Sequence, residues 1–153
     1  MAAESFSVPV GSNIIPFDLP ATDGKNYSVE SFKESKALVV VFSCNHCPYA
    51  KAAWPLLIKM ADGFKNEDVA FVAINPNDEN QYPEDSFEEM KKKVPEWNIN
   101  FPYLRDENQE TAQQYGIMSI PTFLIFKAGK VVEQMIGVPT EDGLIAKLES
   151  YIN

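Results

Sequence analysis

Two cysteines and one histidine are all that the 153-residue chain offers of these residue types, too few for a disulfide framework or a four-ligand Cys/His metal shell. Positive charge is also scarce. Thirteen basic against 22 acidic residues give a net charge of −9, which repels phosphate backbones and anionic bilayers and excludes nucleic-acid and membrane partners. No apolar run approaches the roughly 20 residues needed to span a membrane. Met1 to Val10 carries Glu4 but no early basic cluster and no long apolar run, so it does not read as a secretory leader and the expected location is cytoplasmic. There is no internal repeat and no low-complexity tract. With 45% hydrophobic residues, the chain suffices for a single domain over 1–153, its first 16 residues an irregular lead-in broken by Pro9, Gly11 and Pro16.

What is present is organised around Leu38-Val39-Val40-Val41-Phe42-Ser43-Cys44-Asn45-His46-Cys47-Pro48. Five apolar residues bounded by polar ones read as a strand buried on both faces, as the centre of a parallel sheet requires. Downstream, Ala50, Ala53, Trp54, Leu57, Ala61 and Phe64 recur at three- and four-residue steps and predict an amphipathic helix whose first turn holds the cysteine pair. The free N–H groups and positive end of that helix favour a thiolate, and Cys44, expected nearer the exposed tip, gains most. In a reducing compartment this spacing points to catalysis or metal binding rather than to a structural staple.

Around this unit, Phe17-Asp18-Leu19 and Tyr27-Ser28-Val29 flank an Asp-Gly turn and predict a small hairpin, followed by a short helix near Glu30 to Lys33. Val69 to Ile74 reads as a second buried strand, parallel to the first. Asn75 to Glu84 is a polar, acidic loop beyond a strand's carboxyl end, where binding sites are often shaped. Asp85 or Ser86 then caps a helix carrying Glu88–Lys92 and Glu89–Lys93 ion pairs and stopped by Pro95. Lys91 to Lys93 read as complements to the helix dipole rather than a docking patch. Phe101 to Leu104 suits an edge strand, and Asp106 caps a helix ending at Tyr115-Gly116. Thr122 to Phe126 and Val131 to Ile136 form an antiparallel hairpin, and Thr140 caps the last helix.

Cys44-Asn45-His46-Cys47 after a buried strand, with Ser119-Ile120-Pro121-Thr122 before a distant hairpin, resembles the thioredoxin fold. Residues from about Phe17 to Tyr115 are similar to redoxins of the alkyl hydroperoxide reductase and thiol-specific antioxidant superfamily; Tyr115 to Gly137 resembles ordinary thioredoxin. The resemblance implies a three-layer α/β/α sandwich around a mixed sheet. It also implies a cis Ile120-Pro121 peptide facing the cysteines, which leaves the backbone of Ile120 to pair with an extended substrate segment. Asn45, Pro48 and Gly137 complete the candidate substrate-binding set. The sequence departs from thioredoxin at Ser43 for a tryptophan, Leu38 for a buried aspartate and Pro48 for a lysine, so no internal base is assigned.

The chemistry expected is thiol-disulfide exchange. Cys44, read as the more exposed thiol, attacks a substrate disulfide and Cys47 resolves the mixed disulfide, with no cofactor beyond the pair itself. A protonated His46 would favour the Cys44 thiolate and make the disulfide more oxidising, as the matching histidine of disulfide isomerases implies. The expected partners are protein or small-molecule disulfides and a thiol reductant or reductase. Zinc is disfavoured because Cys44, Cys47 and at best His46 crowd one turn without a second Cys/His pair. A thiol peroxidase is the alternative enzyme, although Val41 stands where such peroxidases place threonine or serine. A peptide- or metal-binding module is the non-enzymatic alternative.

Overall fold

The computed structural model describes residues 9–153. Residues 1–8 of the expected lead-in, and most of the stretch behind the cytoplasmic expectation, lie outside the described residues. A short hairpin of β1 (Asp18–Pro20) and β2 (Asn26–Ser28) leads through a 3-10 turn at Val29–Phe32 into β3 (Ala37–Phe42). Then follow α1 (Pro48–Gly63), β4 (Val69–Asn75), α2 (Phe87–Trp97), β5 (Tyr103–Arg105), α3 (Glu110–Gln114), β6 (Thr122–Lys127), β7 (Lys130–Ile136) and α4 (Glu141–Ile152). The main sheet has the order β5-β4-β3-β6-β7. Its β3–β4 and β4–β5 pairs are parallel and its β3–β6 and β6–β7 pairs antiparallel, the mixed sheet of a thioredoxin fold.

All six residues of β3 are buried because strand side chains alternate between two covered faces. Ala37, Val39 and Val41 pack with Trp54, Leu57, Leu144 and others from α1 and α4. Leu38, Val40 and Phe42 face the opposite core with Phe17, Tyr115 and Phe126. That second layer is built from the hairpin, the 3-10 turn and short α3 rather than from long helices. Removing a fully buried side chain here costs about 2–5 kcal/mol.

Amino-terminal residues cover part of both sheet edges. Gly11 N–H donates to Val131 O at 2.6 Å, Val131 N–H to Ser12 O at 2.9 Å and Ile14 N–H to Gly129 O at 3.0 Å, covering the start of β7. The lead-in is therefore anchored over these residues, whereas the sequence suggested a loose segment. At the other edge Thr22 N–H donates to Tyr103 O at 3.0 Å, beside an Ala21–Leu104 bridge.

Several local expectations are corrected. Pro95 does not stop α2, which continues to Trp97 and ends where Asn98 adopts φ 57°; losing one backbone donor does not unseat a helix still anchored by packing. Its ion pairs are spaced by three residues, Lys91–Glu88, Lys92–Glu89 and Lys93–Glu96, rather than by four. Asp106 lies outside α3 but still satisfies its start, accepting from Thr111 N–H at 3.2 Å and Ala112 N–H at 2.9 Å. Among the described residues no helix is long and apolar enough to cross a membrane.

Candidate active site

Strand register brings three segments to one end of the sheet. Phe42 lies opposite Ile74 on one side and Thr122 on the other, so residues 43–47, 75–77 and 119–122 converge. Ser43 N–H extends the ladder by donating to Ile74 O at 2.9 Å. Beyond it the chain turns through Asn45 and His46, and α1 begins only at Pro48, with Cys47 as its N-cap. The expected placement of both cysteines in the first helical turn is thus corrected. Proline at the first helical position, where no N–H partner exists, sets the start one step beyond the pair.

Cys44 and Cys47 are joined as a disulfide, with Cα atoms 6.1 Å apart. Their environments differ in the opposite sense to that expected. Cys44 is 0% exposed, and its carbonyl accepts from the buried Trp54 Nε1 at 3.2 Å. Its Sγ accepts from Cys47 N–H at 3.2 Å. Cys47 is only half-buried and lines a cavity of about 350 Å³ with Asn77, Gln113, Ile117, Met118 and Ile120. Cys47, not Cys44, is therefore the more exposed cysteine, because the turn folds Cys44 back under the helix start.

His46 also faces the second cysteine at closest hand. Its Nε2 lies 4.0 Å from Cys47 Sγ, as does Asn77 Nδ2. Its Nδ1 meets Asp85 Oδ2, and Tyr82 stacks on the ring with centroids 4.7 Å apart. Asp85 is fully buried and accepts further from Asn45 N–H at 2.5 Å, Asn75 Nδ2 at 3.2 Å and Asn77 Nδ2 at 2.9 Å. Behind it, Arg105 Nη1 donates to the Asp85 carbonyl at 3.2 Å. These donors satisfy a buried carboxyl group that would otherwise be costly to enclose. The site thus contains a buried carboxyl group where the sequence assigned no internal base; it comes from the segment after β4 rather than from β3, whose Leu38 is plain core.

The sequence reading gave Asp85 a share in capping α2. Ser86 alone does so, accepting from Glu89 N–H at 3.2 Å, which frees Asp85 for the site. Asn45, read as a substrate contact, is buried instead. Its side-chain carbonyl accepts from Tyr103 Oη at 2.7 Å and its amide donates to Glu84 O at 2.9 Å, so both ends of the side chain are engaged within the protein. Burial pushes the Tyr103 phenol well above its ordinary pKa, so it remains a donor.

Ile120-Pro121 is a cis peptide. Pro121 O accepts from Gly137 N–H at 2.8 Å, so Gly137 braces the proline loop and has φ 90°, which glycine adopts freely. Among the described residues, no backbone hydrogen bond engages the N–H or carbonyl of Ile120. Pro48 is exposed beside the cysteines, and Tyr49, Met118, Ile136 and Val138 are exposed apolar residues on neighbouring segments. The Cys44, Cys47 and His46 donor atoms lie within 4.8 Å of one another. Three donors fall short of a structural zinc shell, and the sulfurs are here bonded to each other.

The model for the AhpC/TSA family matches residues 10–135. Thioredoxin from Chlorobaculum thiosulfatiphilum is 30% identical over 132 residues, 86% of this chain and 94% of that protein. The thiol-disulfide oxidoreductase ResA of Bacillus subtilis (strain 168) is 29% identical over 148 residues, 96% of this chain and 76% of that protein. The crystal structure of an uncharacterized conserved protein from Geobacillus kaustophilus matches with a TM-score of 0.87 and 39% identity, covering 94% of this chain and 82% of that one. Both resemblances read from the sequence, to redoxins and to thioredoxin, are borne out.

Proposed function

The chain belongs to the AhpC/TSA family and is a thiol-disulfide oxidoreductase, and from that premise we propose that it exchanges its Cys44–Cys47 pair with disulfides in extended polypeptide segments. One observation carries this reading: the half-buried Cys47 borders the same groove as Ile120, whose backbone has no hydrogen-bond partner among the described residues. A segment pairing with Ile120 by strand addition would present its own disulfide to the cysteines. The exposed Tyr49, Met118, Ile136 and Val138 supply an apolar margin for its side chains.

The reaction moves two electrons between two dithiol/disulfide pairs, so the sulfurs of Cys44 and Cys47 supply the redox chemistry and no organic cofactor or metal is required. A thiol reductant or reductase closes the cycle. The net charge of −9 works against polyanionic partners. A cytoplasmic location is part of the proposal, supported by two cysteines spaced for catalysis, and cell fractionation tests it.

The deciding experiment is reduction of insulin disulfides with dithiothreitol as donor, in parallel with hydrogen peroxide consumption. Insulin reduction that disappears when both cysteines are replaced by serine is expected. Rapid peroxide turnover without insulin reduction would replace this reading with a thiol peroxidase.

A further inference from the structure

We propose that Arg105 is a positioning residue for the exchange reaction: through Glu79 and the Asp85 carbonyl it holds segment 77–85 against the cysteine turn, so that the ring of Tyr82 keeps His46 in place beside Cys47. The proposal rests on the exchange activity above and adds to it the part that aligns the site.

Arg105 ends β5, in register with Asn75 at the end of β4, and is 2% exposed. A guanidinium stays charged at any ordinary pH, so enclosing it demands acceptors for its N–H groups. Two main-chain carbonyls take Nη1, Asn75 O at 3.4 Å and Asp85 O at 3.2 Å. Among the described residues, Nε and Nη2 are buried with no hydrogen-bond partner. The carboxylate within ion-pair range is that of Glu79, whose Oε1 lies 3.7 Å from Nη2. With one partner enclosed, this attraction is screened less than one between two surface charges.

Glu79 belongs to the segment that roofs the cysteine turn. Gln81 N–H and Tyr82 N–H both donate to Asp78 O, at 3.1 and 2.8 Å, and Asn80 N–H donates to Asp78 Oδ1 at 3.0 Å, so residues 78–82 form one compact turn. Near one end of it Glu79 faces Arg105; at the other Tyr82 stacks on His46 with the ring planes 24° apart. Flanking the turn, Asn77 Nδ2 donates to Asp85 Oδ2 at 2.9 Å, and Asp85 in turn meets His46 Nδ1. Arg105 thus grips this segment at two points, the Asp85 carbonyl and Glu79. Without the grip at Glu79 the turn lifts, the imidazole loses the support of Tyr82, and Nε2 no longer stays beside Cys47 Sγ. Lost alignment of this kind slows the reaction more than it weakens binding.

His46 is the only histidine of the chain, so its ring protons give unambiguous NMR signals, which the ring current of the stacked Tyr82 displaces. In the oxidised protein, read at both plateaus of the histidine titration so that protonation is not mistaken for position, Tyr82→Leu sets the full displacement. Glu79→Gln, a change at a half-exposed side chain, should produce most of it and lower kcat for insulin reduction about fivefold with little change in KM. Glu107→Gln, which removes the same charge from an exposed residue just beyond Arg105, should do neither. Arg105→Gln should displace the signals at least as far as Glu79→Gln, and the double variant no farther than Arg105→Gln, as two groups acting through one contact require. An Arg105→Gln protein that does not fold leaves the decision to Glu79→Gln. Unmoved His46 signals in Glu79→Gln, equal movement in Glu107→Gln, or full movement with kcat intact overturns the assignment and leaves the exchange activity standing. If the wild type reduces no insulin, the exchange reading fails and this assignment with it.

Discussion

The hydroxyl of Tyr103 donates across 2.7 Å to the side-chain carbonyl of Asn45, fastening the edge strand β5 to the residue that follows the first cysteine. The same oxygen accepts from Asn75 Nδ2 at 3.1 Å, so one phenol serves the turn and the end of β4 together. Tyr103→Phe therefore leaves Asn45 Oδ1 buried without a donor, at a cost of about 1–3 kcal/mol. Urea unfolding of the oxidised protein measures it. A loss below about 0.5 kcal/mol would mean that Asn45 finds another partner and the fastening is dispensable.

Asp85 and Ser86 are neighbours with separable roles. Ser86→Ala removes a helix cap and should cost about 1 kcal/mol without changing the thiol chemistry. Asp85→Ala removes the carboxylate that receives donors from Asn45, His46, Asn75 and Asn77 and should cost about 3–5 kcal/mol. Equal costs in thermal unfolding would contradict this division.

How much of this was legible in the sequence varies with the range of the interaction. The run from Leu38 to Phe42 identified the central strand because burial on both faces leaves a continuous apolar string, a local signal. Cys44-x-x-Cys47 and Ile120-Pro121 were legible for the same reason, each being a short motif. Asp85 was not, because it acts on residues 39 and 40 positions away, while its immediate neighbours make it look like a helix cap. A usable signal existed in Asn75, Asn77 and Asp85, three polar residues trailing a strand adjacent to the cysteine strand. The relative exposure of the cysteines was misjudged because it depends on the course of the Asn45-His46 turn, which Asp85 and Tyr103 fix from afar.

His46 Nε2 beside Cys47 Sγ bears on the reduction potential. If the imidazole stabilises the thiolate of the reduced pair, the wild-type potential should lie nearer about −180 mV than about −270 mV. His46→Ala should then lower it; a fall of about 30 mV corresponds to roughly 1.4 kcal/mol of lost reduced-state stabilisation. Equilibration with glutathione and dithiothreitol buffers reads both proteins. An unchanged or higher potential in the variant would deny His46 this role.

Tyr115 should impose an alkaline limit on stability. Burial pushes its phenol up to about 12, and its hydroxyl both accepts from Ile15 N–H at 2.8 Å and donates to Ile15 O at 2.5 Å. Because its folded pKa exceeds the unfolded value near 10, its contribution is intact below about pH 10 and is lost as the pH rises through about 12. Tyr115→Phe should be less stable at neutral pH and should lose part of this alkaline decline. Tyr103, pushed well above its ordinary value by burial, and Tyr151, held at about 12 by its hydrogen bond to Glu133, sustain the remainder. Parallel stability curves for wild type and variant between pH 8 and 12 (on the order of the two pKa values) would refute the assignment.

The partly covered margins of the sheet carry a consequence for a protein that exchanges disulfides. Gly11 to Ile14 occupies the start of β7, Tyr151 Oη donates to Val132 O at 3.0 Å farther along it, and Ala21-Thr22 occupies the far side of β5. An open margin would invite a client chain to zip on anywhere along its length, and successive clients could extend the sheet into an aggregate. Here the start of β7 and the far side of β5 are occupied, which narrows that route, and a segment pairing with Ile120 as proposed would dock in the groove that Cys47 lines.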